Sequence, residues 1–226
     1  MSAAKPLPSR YVWLKAMSAL DVAMADLSAR AAGGARLNAG EAAAAAVAKF
    51  KEAYKKPLTS AMYIAGAAMA PGINKAAQED KHALEKLVLR RIPRPSPRSV
   101  AVGDVVAFSS PLDAQGDHVM VRRVAALEAH EMISDDDADA SFRIPPGHCW
   151  VLADNPELGP PDVIDSRAFG YLPMTSILGR IIYKVRSSDA HGPVINSPMA
   201  AAADAPVIDA EVDAEALAAD MDDAAR

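Results

Sequence analysis

From Thr59 to Arg186 the chain is a succession of short apolar runs, each stopped by glycine, proline or an Asp/Asn cluster, and this cadence constrains the fold most. The runs are Met62–Ala65, Leu84–Ile92 (LEKLVLRRI), Asp104–Phe108, His118–Leu127, Ser141–Ile144, Cys149–Leu152 and Ile177–Arg186. Pro93-Arg-Pro95-Ser-Pro97 ends the second run, because proline donates nothing to a strand ladder. Many short strands with almost no helical period between them predict an all-β, barrel-like domain. Asp135–Ala140 (DDDADA) reads as a solvated loop.

Before Thr59 the period is helical. Trp13, Met17, Leu20, Met24 and Leu27 recur at 4, 3, 4, 3 spacing, which puts them on one face of a helix over residues 10–32. Lys15, Asp21, Asp26 and Arg30 fall outside that stripe. Gly33-Gly34 and the Asn38-Ala-Gly40 turn close the helix. A second helix, Glu41–Lys56, is mostly alanine and ends with Lys51, Lys55 and Lys56, which suit a helix C-terminus. The plain expectation is a helical hairpin packed on the β domain; the sharper one is a stripe that docks a partner or a membrane surface. After Ser187 the chain turns rich in Ala, Asp and Pro, and little order is expected there. The expected organisation is a helical N-terminal extension (1–58), a β domain (59–186) and an acidic tail (187–226), disordered or partner-bound, giving α+β overall.

Composition narrows the function classes. Apolar residues are 51% of the chain, but 49 of them are alanines; the other 66 of 226 residues build a smaller core than the headline suggests. The net charge of −5 divides into −7 on residues 201–226 and +2 on the remaining 200. A near-neutral body with an acidic end argues against a nucleic-acid binder, which needs a surplus of phosphate-neutralising charge. The single cysteine, Cys149, excludes an internal disulfide, a CxxC pair and a Cys-rich zinc site. No run reaches the roughly 20 apolar residues of a membrane span. The first twenty residues hold Lys5, Arg10 and Lys15 and no acid, a faint likeness to an organelle presequence with too few Arg and Ser.

Eight landmarks then occur in order. They are Gly66-Ala-Ala-Met69-Ala-Pro71, Val102-Gly103-Asp104-Val-Val106, Val121-Arg122-Arg123-Val124, Ile144-Pro-Pro-Gly-His-Cys-Trp-Val151, Ala153-Asp154-Asn155, Asp165-Ser166-Arg167, Phe169-Gly170 and Gly179-Arg180. As an ordered set over about half the chain they resemble the type I signal peptidases, and especially the mitochondrial inner-membrane-protease branch. The resemblance implies a mainly β, signal-peptidase-like barrel or coiled-sheet domain.

It also implies chemistry that these residues do not supply. Such peptidases use a serine hydroxyl that attacks the scissile carbonyl and a neutral lysine that takes its proton. The serine position, before Met69 in the motif that ends at Pro71, is Ala68 here; the lysine position, before Arg123-Val124, is Arg122. Alanine offers no nucleophile, and a guanidinium with a pKa above 12 is no base near neutral pH. Gly72 stands where the family usually has Thr. Ser60 is eight residues upstream of Ala68, and His118, four before Arg122, does not align with the histidine of the endoplasmic-reticulum branch.

The surrounding positions are better kept: Met69, Pro71, Gly103, Asp104, Arg123, Asp154, Asn155, Asp165, Ser166 and Arg167. Asp165 and Arg167 are expected to pair, and Ser166 to hydrogen-bond the group at the lysine position; the plainer view makes these turn and fold determinants. His82, His118, His130, His148 and His191 are scattered without ligand spacing, so no metal or cofactor is expected. Cys149 beside Trp150 reads as a core residue. Arg90, Arg91, Arg94 and Arg98 form a basic strand-end and loop, either a solvated edge or a contact for an acidic protein or phospholipid headgroup.

The expected function is a catalytically inactive signal-peptidase-like subunit that assembles with protein subunits of an organellar membrane complex. The mitochondrial inner membrane, approached peripherally, is the expected compartment, with the plastid as alternative. The other readings are a presequence peptidase with a non-family nucleophile and a module that holds presequence peptides without cutting them.

Overall fold

The computed structural model describes residues 9–34, 38–113, 118–133 and 141–224. Two helices come first, α1 (Ser9–Ala32) and α2 (Ala39–Lys55). Asn38 caps α2 in a capping box: its side chain accepts from the Glu41 N–H at 2.9 Å, and Glu41 returns a bond to the Asn38 N–H at 3.0 Å. Strands β1 (Thr59–Ala65), β2 (Leu84–Arg91), β3 (Val105–Ser109), β4 (Val119–Leu127), β5 (Glu131–Ile133), β6 (Ser141–Arg143) and β7 (His148–Leu152) follow. After them come α3 (Ser166–Phe169), β8 (Leu172–Pro173), β9 (Ile177–Ser187), β10 (Ala190–Pro193), α4 (Pro198–Glu211) and α5 (Ala214–Ala224).

One antiparallel sheet runs in the order β1-β2-β9-β3-β4-β7-β8, with β10 paired to β9; β5 and β6 form a separate hairpin. Among the described residues the path is open, since β1 and β8 end it without pairing to each other. With its helices the molecule is α+β around a mainly antiparallel sheet. Every apolar run of the β region holds a strand, whereas β5, β8, β10 and α3 have too few apolar residues to stand out. The DDDADA segment and Lys5 lie outside the described residues.

The sheet is covered on both faces, as β2 (LEKLVLRR) illustrates by burying five consecutive residues, Glu85–Leu89. Leu87 and Leu89 join Met69, Ile73, Val105, Ala107, Val121 and Ile181 in one core. Val106, Phe108, Met120, Val124, Cys149 and Val151 form a second. Val88 and Ile182 form a third with Tyr11, Leu58 and Val207, so both terminal regions pack on the β2–β9 pair.

This corrects the expectation of a tail with little order. Residues 190–224 form β10, α4 and α5. Ser197 caps α4, accepting from the Ala200 N–H, and Pro198 occupies its first turn. Two of the tail's acids close three ion pairs. Asp204 meets Arg180 at 2.7 Å and Arg90 at 3.4 Å, and Asp220 meets Lys86 at 2.9 Å. Glu211 accepts from the Tyr11 hydroxyl at 2.6 Å, the Leu58 and Thr59 N–H groups at 2.8 and 2.9 Å, and the Thr59 hydroxyl at 2.8 Å.

The apolar stripe of α1 is not the face that packs on the sheet. The helix is buried through Tyr11, Ala19 and Ala23, small residues or a flat ring that let it approach closely. Trp13 (60% exposed), Met17, Leu20 and Met24 face outward, and Leu27 is half-buried. Tyr11 and Leu14 are the large α1 residues that reach the core under the hairpin, while the Trp13–Met24 stripe stays outside it.

Candidate signal-peptidase-like site

Strand β4 carries Val121–Val124 between β3 and β7. Alternation puts Val121 and Arg123 on one face and Arg122 and Val124 on the other. Arg122 is buried, and its guanidinium is wholly engaged by backbone. Nε and Nη2 donate to the Ile164 carbonyl at 2.9 and 2.7 Å, and Nη1 donates to the Val121 carbonyl at 2.6 Å. Burial pulls its pKa below the ordinary arginine value, with nearby Asp165 opposing the shift; a side chain that starts above 12 still remains a cation at neutral pH.

Ala68 lies in the loop after β1. Its carbonyl accepts from the Asn155 N–H at 3.1 Å, and the Ala67 carbonyl accepts from Asn155 Nδ2 at 3.0 Å. Met69, fully buried, pins this loop in the core beside Val121, and Pro71 follows it on the surface. Gly72 lies near the next landmark, since a Cβ there would stand 3.8 Å from Asp154 Oδ2.

The 153–167 segment gathers the remaining positions. Asp154 takes a bidentate pair from Arg123 at 2.8 and 2.6 Å. Arg123 Nη1 also donates to the Gly103 and Ile195 carbonyls at 2.6 and 2.8 Å. Asp165 pairs with Arg167 at 2.7 Å, caps α3 and accepts from the Ala153 N–H at 3.1 Å. Burial works to raise the Asp165 pKa, but Arg167 and the two backbone N–H groups outweigh it and hold the carboxyl below its usual range. Ser166 Oγ accepts from the Val151 N–H at 2.9 Å, so the serine braces β7 and not the guanidinium of Arg122.

Gly103 and Asp104 serve a different junction. Gly103 turns at φ +93°, a backbone region that suits glycine. Asp104 accepts from the Ser197 N–H and hydroxyl at 3.1 and 2.6 Å, and from Arg180 at 2.9 Å. This landmark therefore anchors the start of α4. Arg180, Asp204, Glu211 and the Ile164 carbonyl had no role assigned from the sequence. The signals available for them were the Gly179-Arg180 landmark and the Ser197-Pro198 helix start.

Among the described residues no serine or threonine hydroxyl hydrogen-bonds a lysine or histidine side chain. Ser60 lies on β1 opposite Leu89, and the backbone N–H of His118 bonds Asp113. Cys149 is buried, its thiol pushed up to about 12 by desolvation. No cluster of potential metal ligands occurs among the described residues.

No family model matches the chain. It is 40% identical over 132 residues to the mitochondrial ATP-independent inner membrane protease subunit 2 of Arabidopsis thaliana, covering 58% of this chain and 63% of that protein. It is 31% identical to the mitochondrial inner membrane protease subunit 1 of Mus musculus over 99 residues, 42% of this chain and 56% of that one. To the subunit 1 of Homo sapiens it is 31% identical over 86 residues, 37% and 48% of the two chains. The chain thus spans less than two thirds of the length of these relatives. In its ordered motifs and sequence identity the chain is similar to the mitochondrial inner membrane protease subunits.

Proposed function

We propose that this protein is a catalytically inactive, signal-peptidase-like subunit that works by assembling with other proteins at the mitochondrial inner membrane. The observation that carries this reading is the state of Arg122. At the place where the family resemblance implies a neutral, mobile lysine, a buried guanidinium is engaged by the Ile164 and Val121 carbonyls. It joins β4 to the 153–167 segment and is unable to take a proton. Ala68 at the implied nucleophile position supports the same conclusion, as does the retention of the Asn155, Asp154 and Asp165 contacts that shape the loops around it. The compartment follows from the relatives. No described helix is long and apolar enough to cross a membrane.

A fluorogenic presequence-like peptide tests the reading. The native protein should give no turnover, and turnover that disappears on replacing a single serine or lysine would overturn it. The double reversion Ala68→Ser with Arg122→Lys is the informative companion: activity gained only by the double variant would show that the scaffold kept the geometry and lost only the dyad. On the assembly side, native gels of the compartment should show the protein within a larger complex. Migration solely as a free monomer would sink that part of the proposal.

A second reading has its own support. Among the described residues β1 ends the sheet and pairs only with β2. Its open edge directly precedes the Ala68 loop, so an extended presequence peptide has a strand to pair with and nothing to cleave it. Specific peptide binding lost on altering residues 62–70 would favour this over pure assembly.

A further inference from the structure

Two adjoining cavities lie between the helical hairpin and the sheet, and neither has a part in the site described above. The larger is about 610 Å³, within the roughly 300–1,000 Å³ range of small-molecule sites. Its walls are mainly apolar, with Val22 of α1, Ala53 of α2, Leu89 of β2 and Ile177 of β9 among them. The smaller, about 190 Å³, is basic: Arg90, Arg94, Arg98 and Arg180 line it, with Asp21 and Asp204 as its acids. The two share Ser18, Arg91, Ile92 and Pro93 as common wall.

The cations of the smaller cavity are not all balanced. Arg180 is held by Asp104 and Asp204. Arg90 is largely buried and pairs with Asp204 at 3.4 Å, yet its Nε and Nη1 have no hydrogen-bond partner. Arg94 and Arg98 are exposed, and among the described residues their side chains make no hydrogen bond or ion pair. Buried N–H donors left open are costly unless something accepts from them. Three guanidinium groups around one small space fit a phosphate. Met17 lines the same cavity and is 39% exposed, which joins it to the outward stripe of Trp13, Leu20 and Met24.

We infer that these cavities form a binding site for an anionic phospholipid. Its phosphate lies among Arg90, Arg94 and Arg98, and an acyl chain occupies the apolar cavity. The Trp13–Met24 stripe lies at the bilayer interface, where an indole is favoured. An acidic protein would use the arginines but has no need of a mainly apolar cavity next to them; a phospholipid needs both. The inference is independent of whether the Ala68 site is catalytically dead.

Vesicle flotation of the full chain tests it, with phosphatidylcholine alone against phosphatidylcholine doped with phosphatidic acid. Binding should require the anionic lipid. Arg94→Gln with Arg98→Gln should weaken it roughly ten- to thirty-fold, while Arg94→Lys with Arg98→Lys should restore most of it. Ala53→Trp, which fills the apolar cavity, should abolish binding of a soluble short-chain phosphatidic acid and leave the protein folded by circular dichroism. Equal binding to neutral and doped vesicles would overturn the inference, as would unchanged affinity in the glutamine variant. So would binding of inorganic phosphate or polyglutamate where vesicles fail to bind.

Discussion

The hydroxyl of Tyr11 donates to Glu211 across 200 residues of sequence at 2.6 Å, joining the first helix to the end of α4. The same carboxylate receives the Leu58 and Thr59 N–H groups, where the chain leaves the helical hairpin and enters β1. One side chain thus fixes the N-terminal hairpin, the first strand and the C-terminal helices to one another. The terminal regions form a joint cover over Val88 and Ile182, the outward side chains of the β2–β9 pair.

Removing the carboxylate should therefore cost more than removing the hydroxyl. Tyr11→Phe deletes one charge-assisted bond and leaves Glu211 three other donors, a loss of about 1–2 kcal/mol. Glu211→Ala strands the Tyr11 hydroxyl and two backbone N–H groups together, a loss of about 3 kcal/mol or more. Urea unfolding midpoints of the two variants check the order.

The pair also sets two edges of a pH profile. Burial tends to raise the Glu211 pKa, but hydrogen bonds from Tyr11, Leu58 and Thr59 outweigh it and hold the carboxyl below its usual value. Its contribution is present above the ordinary carboxylate pKa of about 4.3 and is lost as pH falls through the lower folded value. The Tyr11 pKa is raised, first by burial and then by Glu211. That contribution is present below the ordinary tyrosine pKa of about 10 and is lost as pH rises through the higher folded value. In thermal melts across pH, Glu211→Gln should flatten the acid limb and Tyr11→Phe the alkaline limb. Unchanged limbs in both variants would show the contact to be energetically idle.

The strands were legible because their runs of Val, Ile and Leu answer to a local rule, and β2, β3, β4, β7 and β9 all lie where that rule points. The tail was not, because its acids have partners far away in sequence. Asp204 is defined by Arg180 and Arg90, and Asp220 by Lys86. Read alone, a run of Ala and Asp looks solvated; read against buried cations it is a docking surface. Alanine's helix propensity and the Ser197-Pro198 start were the local signals that pointed the other way. The α1 stripe is legible as a face, but which face packs on the sheet is not. Large apolar residues dominate a periodicity, yet close helix packing selected Ala19 and Ala23, and left Trp13 outside. At the site, Ala68 and Arg122 were visible as residue types. That Arg122 would find the Ile164 carbonyl depended on a loop 42 residues later.

If the tail is part of the folded body, deleting it should be severe. Loss of residues 198–226 uncovers Val88 and Ile182, leaves Lys86 without Asp220, and takes Asp204 from Arg180. Breaking a buried ion pair by removing one partner costs about 3–5 kcal/mol, and Asp204→Ala alone should approach that figure in urea melts. The truncated chain should bind a hydrophobic dye and be digested rapidly by trypsin. A truncation that melts like the full chain would return the tail to the status of a loose appendage.

Gly179 explains why a small residue precedes Arg180. On β9 it stands opposite Arg91 of β2 and Ala107 of β3. A Cβ at this position would lie 2.1 Å from the Arg90 carbonyl oxygen and 2.9 Å from both its carbon and a Leu89 methyl. The obstruction is backbone, so no rotamer change relieves it, and β2 would have to move away from β9. That movement would drag Arg90 from Asp204 and shift Arg180 within its pair of aspartates. Gly179→Ala should cost about 3 kcal/mol, at the upper end for overpacking. Gly192→Ala on β10, where an added Cβ meets nothing within 4 Å, should stay within about 0.5 kcal/mol of the native protein. Unfolding midpoints of the two variants decide the matter: equal values would mean that β2 and β9 separate easily. The Asp104–Arg180–Asp204 network would then hold α4 without depending on the close approach of these strands.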